Sequence, residues 1–220
     1  MRSYRSGFKG VFAMGLYAER IFPWMIDRGL DTPGINARRA RLLAEARGGT
    51  LEIGFGTGVT LPFYDFGRVT KLTVVEPSTG MNRLARRRIE TAGAPVEIVT
   101  GGGERLPFAE GAFDTVVTSL TLCSVDDPRA VLTEIRRVLK PGGRFLFLEH
   151  VLSEHADRAR WQRRLTPLQK VIGVGCHLDR PTADLVRAAG FELPDVPQQI
   201  EPSMPFSPLV PLIEGVAIRP

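Results

Sequence analysis

Glu52, Gly54, Gly56 and Gly58 stand at alternate positions of the stretch Thr-Leu-Glu-Ile-Gly-Phe-Gly-Thr-Gly-Val that runs from Thr50 to Val59. Glycines so spaced let the backbone turn tightly and come close to a bound molecule, because no Cβ stands in the way. Leu51 and Ile53 read as a short buried strand feeding the turn, and a helix start beyond it would offer free N–H groups to an anionic ligand. The chemistry is that of a cradle. A dinucleotide loop, G-x-G-x-x-G, needs a third glycine where this chain has Val59, which weakens a pyrophosphate reading. A second strand, Leu72 to Val75, ends at Glu76, where a carboxylate can meet both hydroxyls of a ribose. Ribose, with or without phosphate, is the expected ligand.

Further along, His150 closes a fifth strand. An imidazole there could act as base or orient an acceptor, and it could equally be a structural histidine bonded to a backbone carbonyl. Cys176, His177 and Asp179, with His150 and His155 upstream, match no standard zinc spacing, so no metal is expected. The two cysteines, Cys123 and Cys176, are too few for a disulfide scaffold and point to a reducing cytosol, so the expected compartment is cytoplasmic.

These residues need elements to hold them. Apolar side chains at Phe8, Val11, Phe12, Leu16, Ile21, Phe22, Trp24 and Met25 predict an amphipathic helix over 8–28, disturbed at Pro23. A helix from Arg38 to Arg47 ends at Gly48-Gly49. Ser78 caps a helix bearing Met81, Leu84 and Ile89. Strands follow at Val96 to Val99 and Phe113 to about Ser119, the latter with a Val-Val run suited to a sheet covered on both faces. Asp126 or Asp127 then caps a helix carrying Val131, Leu132, Ile135, Val138 and Leu139, stopped by Pro141-Gly142-Gly143 before a strand from Arg144 to Leu148. A helix through Trp161 and Leu165 is expected to break at Pro167, and another runs from Thr182 to Ala189. Strand alternating with helix means crossover connections and a parallel sheet, and ligands of such sheets gather at the carboxyl ends of the strands.

At 220 residues the chain holds one α/β domain. Lys+Arg 29 against Asp+Glu 24 gives a net charge of +5, and the arginine clusters at 38–41, 83–88 and 158–164 read as solvated helix faces. No secretory signal is evident, since Glu19, Arg20 and Asp27 interrupt or follow the apolar stretch from Val11 to Met25.

Leu51 to Gly58 and Val74-Val75-Glu76-Pro77 resemble the first two motifs of the class I S-adenosylmethionine-dependent methyltransferases. Gly103-Glu104-Arg105-Leu106-Pro107-Phe108, Phe113-Asp114-Thr115-Val116-Val117 and Val138-Leu139-Lys140-Pro141-Gly142-Gly143 match that family's later motifs in order. The resemblance implies a Rossmann-like fold with a seven-stranded, mainly parallel sheet and helices on both faces. It also implies a terminal antiparallel hairpin, around Val196 to Ile200 and Leu212 to Ile218. Residues 1–48 would form an N-terminal helical cap and 49–220 the catalytic domain. S-adenosyl-L-methionine would then be the cofactor, with Gly54 and Gly56 on its methionine part, Glu76 on its ribose and Gly103, Glu104 and Arg105 at its adenine. Tyr17 would be the polar handle of the cap, and Glu52, Phe55, Gly58, Pro77, Met81, Leu120 and Val125 complete the expected contacts. Cys123 reads as a small buried apolar residue beside the cofactor.

Ser119-Leu120-Thr121-Leu122-Cys123-Ser124-Val125 lacks both the Asn/Asp-Pro-Pro-aromatic motif of base amine methylation and the Pro-Cys nucleophile of pyrimidine methylation, so a small-molecule acceptor is expected and nucleic acid is not. Leu61-Pro62-Phe63-Tyr64, Thr121 to Val125, Glu149-His150-Val151 and Gly175-Cys176-His177-Leu178-Asp179-Arg180 are similar to the thiol S-methyltransferase group of methyltransferase-like proteins and bacterial relatives. That likeness implies a small, fairly apolar thiol as acceptor. Methylation of a phospholipid amine or a quinone, with peripheral membrane contact through the N-terminal helix, stays open, as does a non-enzymatic module that binds S-adenosylmethionine or NAD.

Overall fold

A computed structural model describes residues 15–200 and 210–220; Phe8, Val11 and Phe12 lie outside them. Six strands, β1 (Gly48–Ile53), β2 (Val69–Val75), β3 (Val96–Val99), β4 (Phe113–Ser119), β5 (Leu139–His150) and β6 (Leu212–Ile218), form one sheet in the order β3-β2-β1-β4-β5-β6. All pairs are parallel except β5 with β6. Six α-helices accompany them: α1 (Phe22–Gly29), α2 (Pro33–Leu43), α3 (Thr79–Ala92), α4 (Pro128–Val138), α5 (Ala156–Ile172) and α6 (Thr182–Ala188).

The continuous apolar runs of the central strands are explained by cover on both sides. Val116, Phe145 and Phe147 point into a cluster with Leu132 and Ile135 of α4 and Val186 of α6. Their neighbours Val117, Leu146 and Leu148 point into a second cluster with Ile35 and Leu43 of α2 and Ala85 of α3. The expected caps are present. Ser78 Oγ accepts from Met81 N at 3.2 Å and Asp127 Oδ1 from Arg129 N and Ala130 N at 2.9 and 3.1 Å.

Five expectations are corrected. The sheet has six strands among the described residues, not seven. The partner strand of the terminal hairpin is reduced to two bridges, Glu192 to Ile218 and Ile200 to Leu212. Pro194 and Pro197 fall between them and supply no N–H to a ladder. Pro141-Gly142-Gly143 does not precede β5 but lies within it, where the pairing with β4 shifts register between Phe113 and Thr115. Pro167 does not break α5, which runs through it. The arginines are not all solvated. Arg39 is buried and donates to the Leu30 carbonyl and Asn36 Oδ1 at 2.8 and 3.0 Å, and Arg88 meets Asp27 at 2.6 Å. Pro23 disturbs the N-terminal helix as its sequence predicts: a wider, π-helical turn over Tyr17–Ile21 runs directly into α1, and the proline, which has no N–H to give, sits just past that junction.

Candidate active site

The carboxyl ends of β1 to β5 bring Gly54, Glu76, the 100–104 segment, Leu120 and His150 to one edge of the sheet. The glycine loop is tight. Gly54, Gly56 and Gly58 all have φ between 59 and 81°, a region closed to most side chains. A Cβ on Gly54 would stand 2.2 Å from Thr121 Oγ1, whereas one on Gly56 would meet nothing nearer than 3.9 Å. The loop is packed against β4 at its first glycine and open at its second.

Glu76 faces that opening. One oxygen accepts Gly56 N at 2.9 Å and the other Ser78 N at 2.8 Å. Burial pushes its carboxyl up, and the two amides pull it back. Asn82 Nδ2 donates to the Glu76 carbonyl at 3.0 Å, while its buried Oδ1 has no partner among the described residues, nor has Ser119 Oγ at the end of β4. Met81 is buried in the first turn of α3 and Pro77 is exposed beside it.

Glu52 sits elsewhere. It is fully buried under the loop, accepting from Thr60 Oγ1 at 2.9 to 3.0 Å and from the Tyr64 hydroxyl at 2.7 Å. Burial raises its carboxyl to about 7 against the pull of those hydroxyls. Its role here is to hold the loop from beneath. The Phe55 ring joins the same layer of core. Gly103 packs so closely on β1 that a Cβ would reach Ile53 Cγ2 at 2.8 Å. Glu104 Oε1 accepts the amide of Asp126 at 3.2 Å, tying the 100–104 segment to the start of α4, and Arg105 is exposed.

The segment leaving β4 is clamped from both sides. Leu120 turns with φ of 57°. Glu149, fully buried, accepts the amides of Thr121, Leu122 and Cys123 at 3.1, 3.0 and 3.4 Å, and Arg180 donates to the carbonyls of Leu122 and Val125. The residues of this clamp belonged to short motifs in the sequence, but only the fold shows that the acid and the base grip the same segment.

Beside it, Cys123, His150 and Cys176 come together, with one ligating atom from each lying within 4.8 Å of the others. Cys176 Sγ is 3.8 Å from His150 Nδ1. His177 N donates to the Cys123 carbonyl at 2.7 Å, fastening one cysteine loop to the other. Both thiols are buried and His150 is half-buried. The Cys123 thiol, donating to Cys176, holds the Cys176 thiol below the ordinary range. His177 and Asp179 pair with each other at 3.7 Å rather than joining this group.

The N-terminal turn reaches α3, where Glu19 Oε2 accepts from Thr79 Oγ1 at 2.8 Å and Gly80 N at 2.6 Å. A carboxylate at a helix N-terminus is favoured by the aligned peptide dipoles. The Tyr17 hydroxyl donates instead to the Ile172 carbonyl at 2.8 Å, joining this segment to the end of α5.

The methyltransferase-domain family profile matches residues 51–147. Thiol S-methyltransferase TMT1B of Rattus norvegicus is 39% identical over 173 residues, which is 77% of this chain and 70% of that protein. A phosphatidylethanolamine N-methyltransferase of Cereibacter sphaeroides is 33% identical over 152 residues, 67% of this chain and 74% of that one. A Haemonchus contortus phosphoethanolamine N-methyltransferase solved with S-adenosyl-L-methionine shares the fold, with a TM-score of 0.67 at 16% identity over 94% of this chain and 57% of that chain.

The site fits an adenosyl sulfonium. Glu76 offers a carboxylate to sugar hydroxyls, Gly56 leaves room above the loop, and the polar atoms of Asn82 and Ser119 lack partners among the described residues. With its ordered motifs, its sheet order and its relatives in agreement, the chain belongs to the class I S-adenosylmethionine-dependent methyltransferases.

Proposed function

We propose that this methyltransferase acts on a small, fairly apolar thiol. The observation that carries the reading is the contrast between neighbours at the end of β5. Glu149 is turned inward onto three backbone amides, so the half-buried group beside it is the imidazole of His150 with two thiols around it. At this end of β5 the one carboxylate that could hold the charge of an amine-bearing acceptor, Glu149, is already committed to those amides, whereas a thiol needs only apolar walls and a group to take its proton. The similarity to thiol S-methyltransferases over most of the chain supports the same choice.

The cofactor supplies a methyl group on a positively charged sulfur: the acceptor sulfur forms the new carbon bond, the old carbon–sulfur bond breaks, and its electron pair stays on the cofactor's sulfur. Charge disappears along the way, so alignment and exclusion of water matter more than a strong base. A thiolate is nucleophilic near neutral pH. In this reading the glycine loop and Glu76 hold the cofactor, the clamped 120–125 segment walls the acceptor pocket, and His150 takes or orients the thiol proton.

No described helix is long and apolar enough to cross a membrane. Exposed Leu16, Trp24 and Met25 stand near exposed Leu168 and Ile172 of α5 through the Tyr17 bond. Arg28 lies 4.4 Å over the Trp24 ring, and Arg164 5.6 Å over that of Trp161 on α5. Apolar side chains ringed by arginine suit peripheral contact with an anionic lipid surface, through which an apolar thiol would arrive.

Turnover of a short alkyl thiol against a phospholipid amine and a demethylquinone tests the assignment. Selective methylation of the thiol is expected; selective methylation of the amine or the quinone removes it.

A further inference from the structure

Cys123, His150 and Cys176 come from three separate parts of the chain, and each is held in place by contacts beyond its own segment. Cys123 lies in the segment clamped by Glu149 and Arg180. His150 ends β5, in register with Leu212 of β6. Cys176 follows a strained turn in which Val174 and Gly175 have φ of 45 and 96°, and a Cβ on Gly175 would press on the Ser124 carbonyl at 2.7 Å. Backbone strain of this kind persists only where the surroundings impose it.

From this convergence we propose that Cys123 Sγ, His150 Nδ1 and Cys176 Sγ bind a zinc ion whose fourth position is open to the methyl acceptor. The latter half of this proposal rests on the thiol reading above. In a tetrahedral site with Zn–S near 2.3 Å and Zn–N near 2.0–2.1 Å, sulfur and nitrogen ligands stand about 3.5 Å apart. Here Cys176 Sγ and His150 Nδ1 are 3.8 Å apart, and all three ligating atoms lie within 4.8 Å of one another. Small side-chain adjustments would close them on one ion.

The donor set has the right chemistry. Two thiolates and a neutral imidazole cancel the charge of a divalent ion, which suits an interior walled by Leu165, Leu178 and Val210. Thiolate ligands select soft and borderline metals such as zinc over magnesium or calcium. Three protein ligands with one free position are the pattern of catalytic rather than structural zinc, and His150 is the half-buried member of the three, the side from which a fourth ligand would arrive. With His150 Nδ1 on the metal, the ion takes over the activating role given above to the imidazole: a thiol entering there would displace bound water, give its proton to solvent and remain on the metal as a thiolate with its lone pair free for the methyl carbon. The thioether formed is neutral and a weaker ligand, so it leaves. Spacing along the chain did not reveal this set, because the ligands are separated by the β4–β5 crossover and by α5.

The test uses the whole chain, purified under reducing conditions in zinc-containing buffer and dialysed metal-free. One equivalent of zinc per chain is expected by elemental analysis. Replacement with cobalt should give thiolate-to-metal charge-transfer bands, and a short alkyl thiol should change the visible cobalt spectrum. Cys123→Ser and Cys176→Ser should each weaken metal binding by at least about 100-fold, with binding of S-adenosylhomocysteine retained as the check on folding. Absence of metal from the wild-type protein, or a Cys123–Cys176 disulfide in its place, overturns the site without needing any variant. A cobalt spectrum indifferent to thiol overturns the open position. Zinc-free enzyme that methylates thiols at full rate overturns the metal while leaving the thiol assignment intact. Metal-loaded enzyme that methylates only amines overturns the thiol as fourth ligand and leaves the metal in place.

Discussion

The amide of Gly56 and the carboxylate of Glu76 are joined at 2.9 Å across the gap between β1 and β2, so the acid we propose for the ribose also fixes the shape of the glycine loop. Glu76→Gln keeps the size and one acceptor but loses the charge. Affinity for S-adenosylhomocysteine should fall about 10- to 100-fold, or about 1.4–2.8 kcal/mol, as for a charge-assisted hydrogen bond. Titration calorimetry measures it, and an unchanged affinity would remove Glu76 from the cofactor site.

Glu52 gives a pH signature. Its carboxyl is raised by burial to about 7 in the folded chain, so between the ordinary carboxylate range and pH 7 the folded state holds a proton that the unfolded state has lost. Stability from this group is therefore complete at low pH and is lost as pH rises through 7. Glu52→Gln, which cannot ionise, should flatten the fall between pH 5 and 8, a difference on the order of 2–4 kcal/mol. Urea titrations at several pH values would show parallel curves if the group carried no linkage.

Removing Glu149 should be costly. Glu149→Leu leaves the amides of Thr121, Leu122 and Cys123 buried with no acceptor, at about 1–3 kcal/mol each, whereas Glu149→Gln retains an oxygen and should lose less than half as much. Equal losses from the two variants in denaturant melts would show that packing, not the amide clamp, is the source.

Gly175→Ala puts a Cβ 2.7 Å from the Ser124 carbonyl at a φ of 96°. A loss of about 2–3 kcal/mol is expected, with the largest shifts in amide NMR signals at 123–125 and 174–177. Gly93, also left-handed but with nothing within 4 Å, supplies the comparison, and Gly93→Ala should cost about 1 kcal/mol.

Glu19→Gln weakens the carboxylate contact with the first turn of α3. Hydrogen exchange at residues 79–82 should quicken several-fold, in line with the roughly 0.3–1 kcal/mol that a charge contributes at a helix N-terminus, while exchange in β4 stays unchanged. Unaltered exchange at 79–82 would show that the contact does not hold the turn.

The sheet and its cofactor edge were legible in the sequence because each signal is local. The glycine spacing, the acid ending β2, and the Ser78 and Asp127 caps depend only on near neighbours along the chain. The misreadings share the opposite cause. Pro167 reads as a break although α5 carries through it, and Pro141-Gly142-Gly143 reads as a stop until Leu139 before it and Arg144 after it are seen paired with Phe113 and Thr115 of the same β4. Arg39 reads as solvated until the carbonyl of Leu30 faces it. The cysteine–histidine group is the extreme case, since nothing near Cys123 in sequence announces Cys176.

His150 is the last residue of β5, and its outer neighbour in the sheet is Leu212, more than sixty positions later. During synthesis the ribosome must therefore deliver residues 212–218 before His150 has its strand partner, since the pairing of β5 with β4 stops at Leu148. β1, β2 and β3 complete their mutual pairing within the first hundred residues, so on growing chains any binding at the glycine loop should be acquired before any activity that depends on the His150 end of the sheet.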